Sequence, residues 1–202
     1  NDLKEQAAEV LTPRLVVEIP FAYPAREVDL KVKYRNLTGL TVELYRMNLP
    51  VTSNILKEEI TASTVSRYGK LVGTRHYQLA ATPDYMETDT LLRYKFPTEG
   101  IYILKSIPDG HSKYTAYGKA YVSSLQAISL GLPGGKQEIN IIDRLTGHPV
   151  AGTEVAYYRV LQGEGYRLVK AYPADSKGTV TLTPPDERNW LGINVRKPGA
   201  DY

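Results

Sequence analysis

The chain has 202 residues, 42% of them apolar, a formal net charge of +3 with both signs interspersed, and no cysteine. That length holds one large β domain or two of about 100 residues each, and the nearly balanced charge argues against a general electrostatic partner such as nucleic acid or an anionic membrane. Without cysteine there is no disulfide, thiolate metal site, cysteine nucleophile or internal thioester within these residues.

Leu3, Ala7 and Val10 recur at helical spacing with Lys and Glu between them, which predicts a short helix over Leu3–Leu11. Pro13 stops it, because proline cannot donate to the helical ladder. A helix this short is marginal alone, so it reads as the tail of a preceding helical region or as a docking helix. After Pro13 the period becomes two. Leu15–Ile19 is a predicted strand, Tyr23-Pro24-Ala25 a turn, and Val28–Arg35 alternates Val, Leu, Val, Tyr against Asp, Lys, Lys, Arg. Asn36-Leu37-Thr38-Gly39 reads as a hairpin loop into a second alternating strand, Leu40–Arg46.

Asn48–Gly73 reads as a long loop, with a helical turn around Ile55, Leu56 and Ile60 and a short polar strand over Ser63–Tyr68. His76–Leu79 and Asp89–Phe96 are predicted strands. The second is expected to pair through Pro97-Thr98-Glu99-Gly100 with Ile101–Ile107. Pro108-Asp109-Gly110-His111 turns the chain into Lys113–Val122. Tyr121–Leu130 then bridges into a second set of strands. Leu132–Gly135 is a hairpin turn, followed by Gln137–Ile142, Thr153–Val160, Tyr166–Tyr172, Thr179–Thr183 and Trp190–Val195. Sixteen tyrosines against two phenylalanines suit half-buried strand faces, where a ring packs and its hydroxyl stays wet. The fold class is therefore all-β: two consecutive antiparallel β-sandwiches behind a short N-terminal helical segment. Residues 1–13 form the helix or linker, 14–121 the first sandwich and 122–202 the second.

Between two of these strands lies Asp143-Arg144-Leu145-Thr146-Gly147-His148-Pro149-Val150-Ala151-Gly152, and later Asp175-Ser176-Lys177-Gly178. Thr146-Gly147 and Ser176-Lys177-Gly178 supply tight turns, and Pro149 suits a strand's first residue or an edge. Nothing in either segment performs chemistry. His76, His111 and His148 lack any metal-ligand spacing. Asp84, Glu87 and Asp89, around Tyr85 and Met86, lack calcium-loop spacing and read as a solvated loop. Pro133-Gly134-Gly135-Lys136 lacks phosphate-loop spacing, and no G-x-S-x-G motif is present. Trp190 reads as packing, with a sugar-stacking platform as the alternative. No catalytic, cofactor or metal residue is assigned, and the chain is not read as an enzyme.

Val28–Asn36 with Val42–Arg46, and Phe96–Leu104 leading to Tyr121–Leu125, resemble an early macroglobulin-type domain of bacterial alpha-2-macroglobulin-like proteins. Asp143–Gly152 is similar to the D-x-x-T-G-x-P-V-x-G segment of the second macroglobulin domain, MG2. Asp175–Gly178 matches its T-D-x-x-G turn, with Ala174 where threonine is usual, and Pro198–Tyr202 is similar to its terminal G-D-D. The tyrosine-rich style resembles the very large versions in Bacteroidetes. The resemblance covers residues 14–202 and implies immunoglobulin-like scaffold domains of an endopeptidase inhibitor that traps proteases. It also implies a place in the bacterial envelope, periplasmic or at the cell surface. The implied partners are neighbouring domains of the parent chain and, in the complete protein, a protease. No nucleic acid and no direct membrane insertion are expected. The bait and thioester segments of that family are not assignable here, although Asn48–Gly73 is the most accessible loop. The competing functional class is a surface adhesin or carbohydrate-binding module using exposed Tyr and Trp190. The start at Asn1 without methionine and the linker-like Lys197–Tyr202 suit a piece of a longer chain.

Overall fold

The computed structural model describes residues 2–48, 60–82, 85–161, 165–183 and 191–197. The chain divides into two compact units, one built from residues 1–48 and 59–122, the other including residues 123–202. Ile55, Leu56, Asp84, Trp190 and Pro198–Tyr202 lie outside the described residues.

The first unit opens with helix α1, Asp2–Leu11. Among the described residues seven strands follow: β1 Arg14–Glu18, β2 Glu27–Arg35, β3 Gly39–Met47, β4 Gly69–Gln78, β5 Thr88–Lys95, β6 Gly100–Pro108 and β7 Ala116–Val122. They form two antiparallel sheets ordered β1-β2-β5 and β4-β3-β6-β7. Alternation decides what each face does. Leu30, Val32 and Tyr34 of β2 and Leu92 and Tyr94 of β5 meet Leu40, Val42, Leu44, Tyr102 and Leu104 of the facing sheet in one core. The opposite face of β1-β2-β5 pairs charges of opposite sign in register: Glu27 with Lys95, Asp29 with Arg93, Lys33 with Asp89 and Lys31 with Glu18. Such a ladder suits a solvated face. Along one side β1 runs beside β7, where Ile19 lies against Gly118. Along the other, the Tyr77 hydroxyl and Arg75 Nη1 of β4 donate to the Arg93 carbonyl of β5, at 2.8 and 3.2 Å. Burial at that side pushes the Tyr94 phenol up to about 12.

Asn36–Gly39 is not a hairpin. β2 pairs with β1 and β5, and β3 with β4 and β6. The loop is an arch that carries the chain from one sheet to the other. The reason lies in the apolar sets. A hairpin would put Leu30-Val32-Tyr34 and Leu40-Val42-Leu44 on one face of one sheet. The arch sets them against each other across the core. Leu37 is buried in the loop itself, and Asn36 takes φ 56. Pro97–Gly100 is a second arch, since β5 and β6 also belong to different sheets. Its anchor is Phe96, fully buried against Tyr94 and Tyr102 at 5.5 Å between ring centroids. Turn residues alone do not distinguish the two outcomes; burial at the loop does.

Ser63–Tyr68, expected as a short strand, is instead helical, within α2, Ala62–Tyr68. Thr61 caps it by accepting the Thr64 amide hydrogen, and Val65 is its buried residue. The expected long loop therefore shrinks: β4 already begins at Gly69, well before His76.

The second unit contains β8 Leu125–Leu132, β9 Lys136–Asp143, β10 Glu154–Leu161, β11 Gly165–Pro173, β12 Thr179–Leu182 and β13 Leu191–Arg196. Two three-stranded antiparallel sheets, β12-β9-β8 and β11-β10-β13, enclose Ile139, Ile141, Val155, Tyr157, Ala174, Val180 and Leu182. Here the Pro133–Gly135 turn does close a true hairpin, with Leu132 opposite Lys136. The first unit's last strand ends at Val122, and Ser123-Ser124 separate it from β8.

Candidate functional site

The two motifs singled out in the sequence meet in the second unit. Asp143 ends β9, and one carboxylate oxygen, Oδ1, accepts three hydrogen bonds: from the backbone amides of Leu145 and Thr146 at 3.0 Å, and from the Thr146 hydroxyl at 3.1 Å. Its backbone carbonyl takes the Gly147 amide at 2.8 Å, and its own amide donates to the His148 carbonyl at 2.8 Å. The Thr146 and Leu145 amide hydrogens hold the Asp143 carboxyl below the usual aspartate range. Pro149 then forms an isolated antiparallel bridge with Ile142. Proline fits there because it has no amide hydrogen to pair.

Asp175 repeats the device in the second motif. Its Oδ1 accepts the Lys177 and Thr179 amides at 2.9 and 2.8 Å, and Gly178 N–H closes the turn on the Asp175 carbonyl at 3.0 Å. Ile141 joins the two turns. Its amide donates to the Gly178 carbonyl at 2.8 Å, and its carbonyl accepts from Val150 at 2.9 Å. Gly178 has φ +70, and a Cβ there would lie 2.6 Å from the Ile141 carbonyl oxygen and 2.9 Å from the Val150 nitrogen. Only glycine fits. Fully buried Thr153 completes the corner, its hydroxyl donating to the Val150 carbonyl at 3.2 Å and its carbonyl accepting from Ala174 at 2.7 Å. The hydrogen bonds named here hold the backbone of the corner. The arrangement fixes the angles at which β9 leads to β10 and β11 to β12.

The histidines are not brought together. His76 pairs with Asp109 at 2.8 Å, His111 lies 6.3 Å from the Tyr114 ring, and His148 serves the Asp143 turn through its backbone. Glu87 pairs with Arg14, and Asp89 stands opposite Lys33. Among the described residues, no three His, Asp or Glu side chains are grouped to hold a metal ion. A half-buried charge pair does occur on the outer face of the first unit's larger sheet. Lys105 Nζ meets Glu43 Oε2 at 2.9 Å, and the Tyr45 hydroxyl donates to the same oxygen at 2.8 Å. The Lys105 hydrogen bond lowers the Glu43 carboxyl. A groove of about 520 Å³ borders Pro13–Leu15 and Tyr114–Tyr117, with Arg14 and Lys119 in its lining. Sequence periodicity gave no signal for it, because its residues come from separate places: the starts of β1 and β7, the 3₁₀ turn Ser112–Tyr114 and Ile60 ahead of α2.

No family model matches the chain, and no curated protein is significantly similar to it in sequence. Solved structures do match. A crystal structure of native alpha-2-macroglobulin from Escherichia coli spanning domains MG0-NIE-MG1 has a TM-score of 0.69 at 17% identity, over 93% of this chain and 62% of that one. Another, spanning domains NIE-MG1, has a TM-score of 0.62 at 15% identity and covers 94% of each chain. The chain thus spans less than two thirds of the longer of the two. The fold is that of macroglobulin-type β-sandwich domains of a bacterial alpha-2-macroglobulin. The resemblance to macroglobulin-type domains of bacterial alpha-2-macroglobulin-like proteins is borne out at the level of fold.

Proposed function

We propose that the chain supplies two consecutive macroglobulin-type domains, residues 14–121 and 122–202, to the scaffold of a large bacterial alpha-2-macroglobulin-like envelope protein. The observation that carries this is the two-way 94% cover with the NIE-MG1 chain. It supports NIE and MG1 as the addresses of the two units, ahead of the MG2 address suggested by the Asp143–Gly152 motif alone. The parent acts as an endopeptidase inhibitor that traps a protease, in the periplasm or at the cell surface. In that parent these residues give shape and contact surface rather than chemistry. Their polar groups are spent on turns, and with no cysteine among them the capturing thioester, where the parent has one, lies elsewhere. The partners are the neighbouring domains and, in the complete molecule, the protease. The gene itself is the test. The proposal expects a very long reading frame with further macroglobulin-type domains beyond Tyr202. A short frame ending in a glycoside hydrolase or a sorting signal would contradict it.

A further inference from the structure

Helix α1 shows its described apolar side chains to solvent. Leu3, Val10 and Leu11 are 82, 44 and 57% exposed, and at about 100° per residue they lie on one side of the helix. A ten-residue helix is marginal in water unless such a stripe is buried. Its direction is nonetheless set by the sandwich. Arg35 Nη2 donates to the Glu9 carbonyl at 2.8 Å, Asn36 Nδ2 to the Val10 carbonyl at 2.9 Å, and Arg35 Nε to the Thr12 carbonyl at 3.4 Å. These bonds satisfy carbonyls that a helix end leaves open, and the guanidinium meets the negative end of the helix dipole. Both residues are held at the end of β2, where Arg35 stands opposite Arg14 of β1. At the same end of the sandwich, Tyr85 and Met86 are 50 and 63% exposed in the connection entering β5, which Glu87 ties to Arg14. An apolar stripe that is pre-oriented and unburied is an interaction surface.

We propose that this stripe is the docking face for the macroglobulin-type domain that precedes the chain in its parent. The inference rests on the parent proposed above. The two matched structures differ by one named domain. The NIE-MG1 chain is covered over 94% of its length, whereas the MG0-NIE-MG1 chain is covered over 62%. The domain that the longer chain adds is MG0, which precedes NIE-MG1 there as α1 precedes the first sandwich here. A sandwich face laid on Leu3, Val10 and Leu11 buries the stripe, with Lys4 at its edge and Glu5 and Glu9 on the opposite side of the helix.

Hydrogen exchange tests this on two proteins: the 202-residue chain, and the same chain extended upstream in its gene through the preceding domain. The α1 amides are expected to exchange about tenfold more slowly, or slower still, in the extended protein. Replacing Leu3, Val10 and Leu11 together by glutamine, which keeps helix propensity, is expected to abolish that gain. Protection in β2, β3 and β6 stays unchanged and reports intact folding. Equal α1 exchange in both proteins overturns the proposal, as does a gain that survives the triple substitution. Self-association of the 202-residue chain that the triple substitution abolishes also overturns it, by making a second copy the occupant. An upstream sequence that encodes no macroglobulin-type domain sinks the parent reading as well. An upstream domain of that type beside an unprotected α1 sinks the docking alone.

Discussion

Gly178 shows how much a single position can decide. Its backbone is left-handed and its missing side chain is where the Ile141 carbonyl and the Val150 amide come closest. Gly178→Ala is expected to cost about 2–4 kcal/mol, combining the left-handed penalty with displacement of a buried strand end. Gly147→Ala has a similar φ but open space around it, and is expected to cost about 1–2 kcal/mol. Urea unfolding of both variants checks the difference, and equal costs would deny the close approach. Asp143 offers a pH test. Its folded carboxyl is held low by the Thr146 and Leu145 amides, so the unfolded chain takes up the proton first. The charge-dependent part of its contribution is therefore fully present above the unfolded aspartate range, near pH 4. It is lost as pH falls through the folded value. Unfolding midpoints of wild type and Asp143→Asn should differ by a constant amount near neutrality and converge in acid. A gap that widens in acid would reverse the assignment.

At the scale of elements, the arches matter most. Leu37 lies in a three-residue connection, yet it is buried because the connection closes the end of the core. Leu37→Ala is expected to destabilise the first unit by about 2–4 kcal/mol, as a core truncation does. A loop leucine at a hairpin tip would lose less than about 0.5 kcal/mol. The shift of the denaturant midpoint separates these cases. The same residues explain what could be read from sequence. The strands β2 and β3 were legible because Leu30-Val32-Tyr34 and Leu40-Val42-Leu44 alternate strictly with polar partners. Their pairing was not, because Asn-Leu-Thr-Gly suits a hairpin and an arch equally in local chemistry. Only the facing sheet tells them apart. In Ser63–Tyr68 one buried residue, Val65, fits a strand or a helical turn, and the Thr61 cap decided for the helix. The Asp143 and Asp175 turns were legible for the opposite reason. Their bonds are local, between residues two to four apart. That Ile141 joins them is a long-range fact with no sequence signal.

At the scale of the whole molecule, the polar residues that sequence motifs picked out are consumed in holding corners. Turns that fix the angles between strands, a core in each of two units and one helix with an unburied stripe are what the proposed scaffold role uses. The most direct measurement is a titration of a broad-specificity protease, read on a protein substrate, with the 202-residue chain and with the full-length parent. The parent is expected to suppress the activity near one-to-one stoichiometry, while the chain alone leaves it unchanged even in large molar excess. Stoichiometric inhibition by residues 1–202 alone, or none by the parent, would contradict the account.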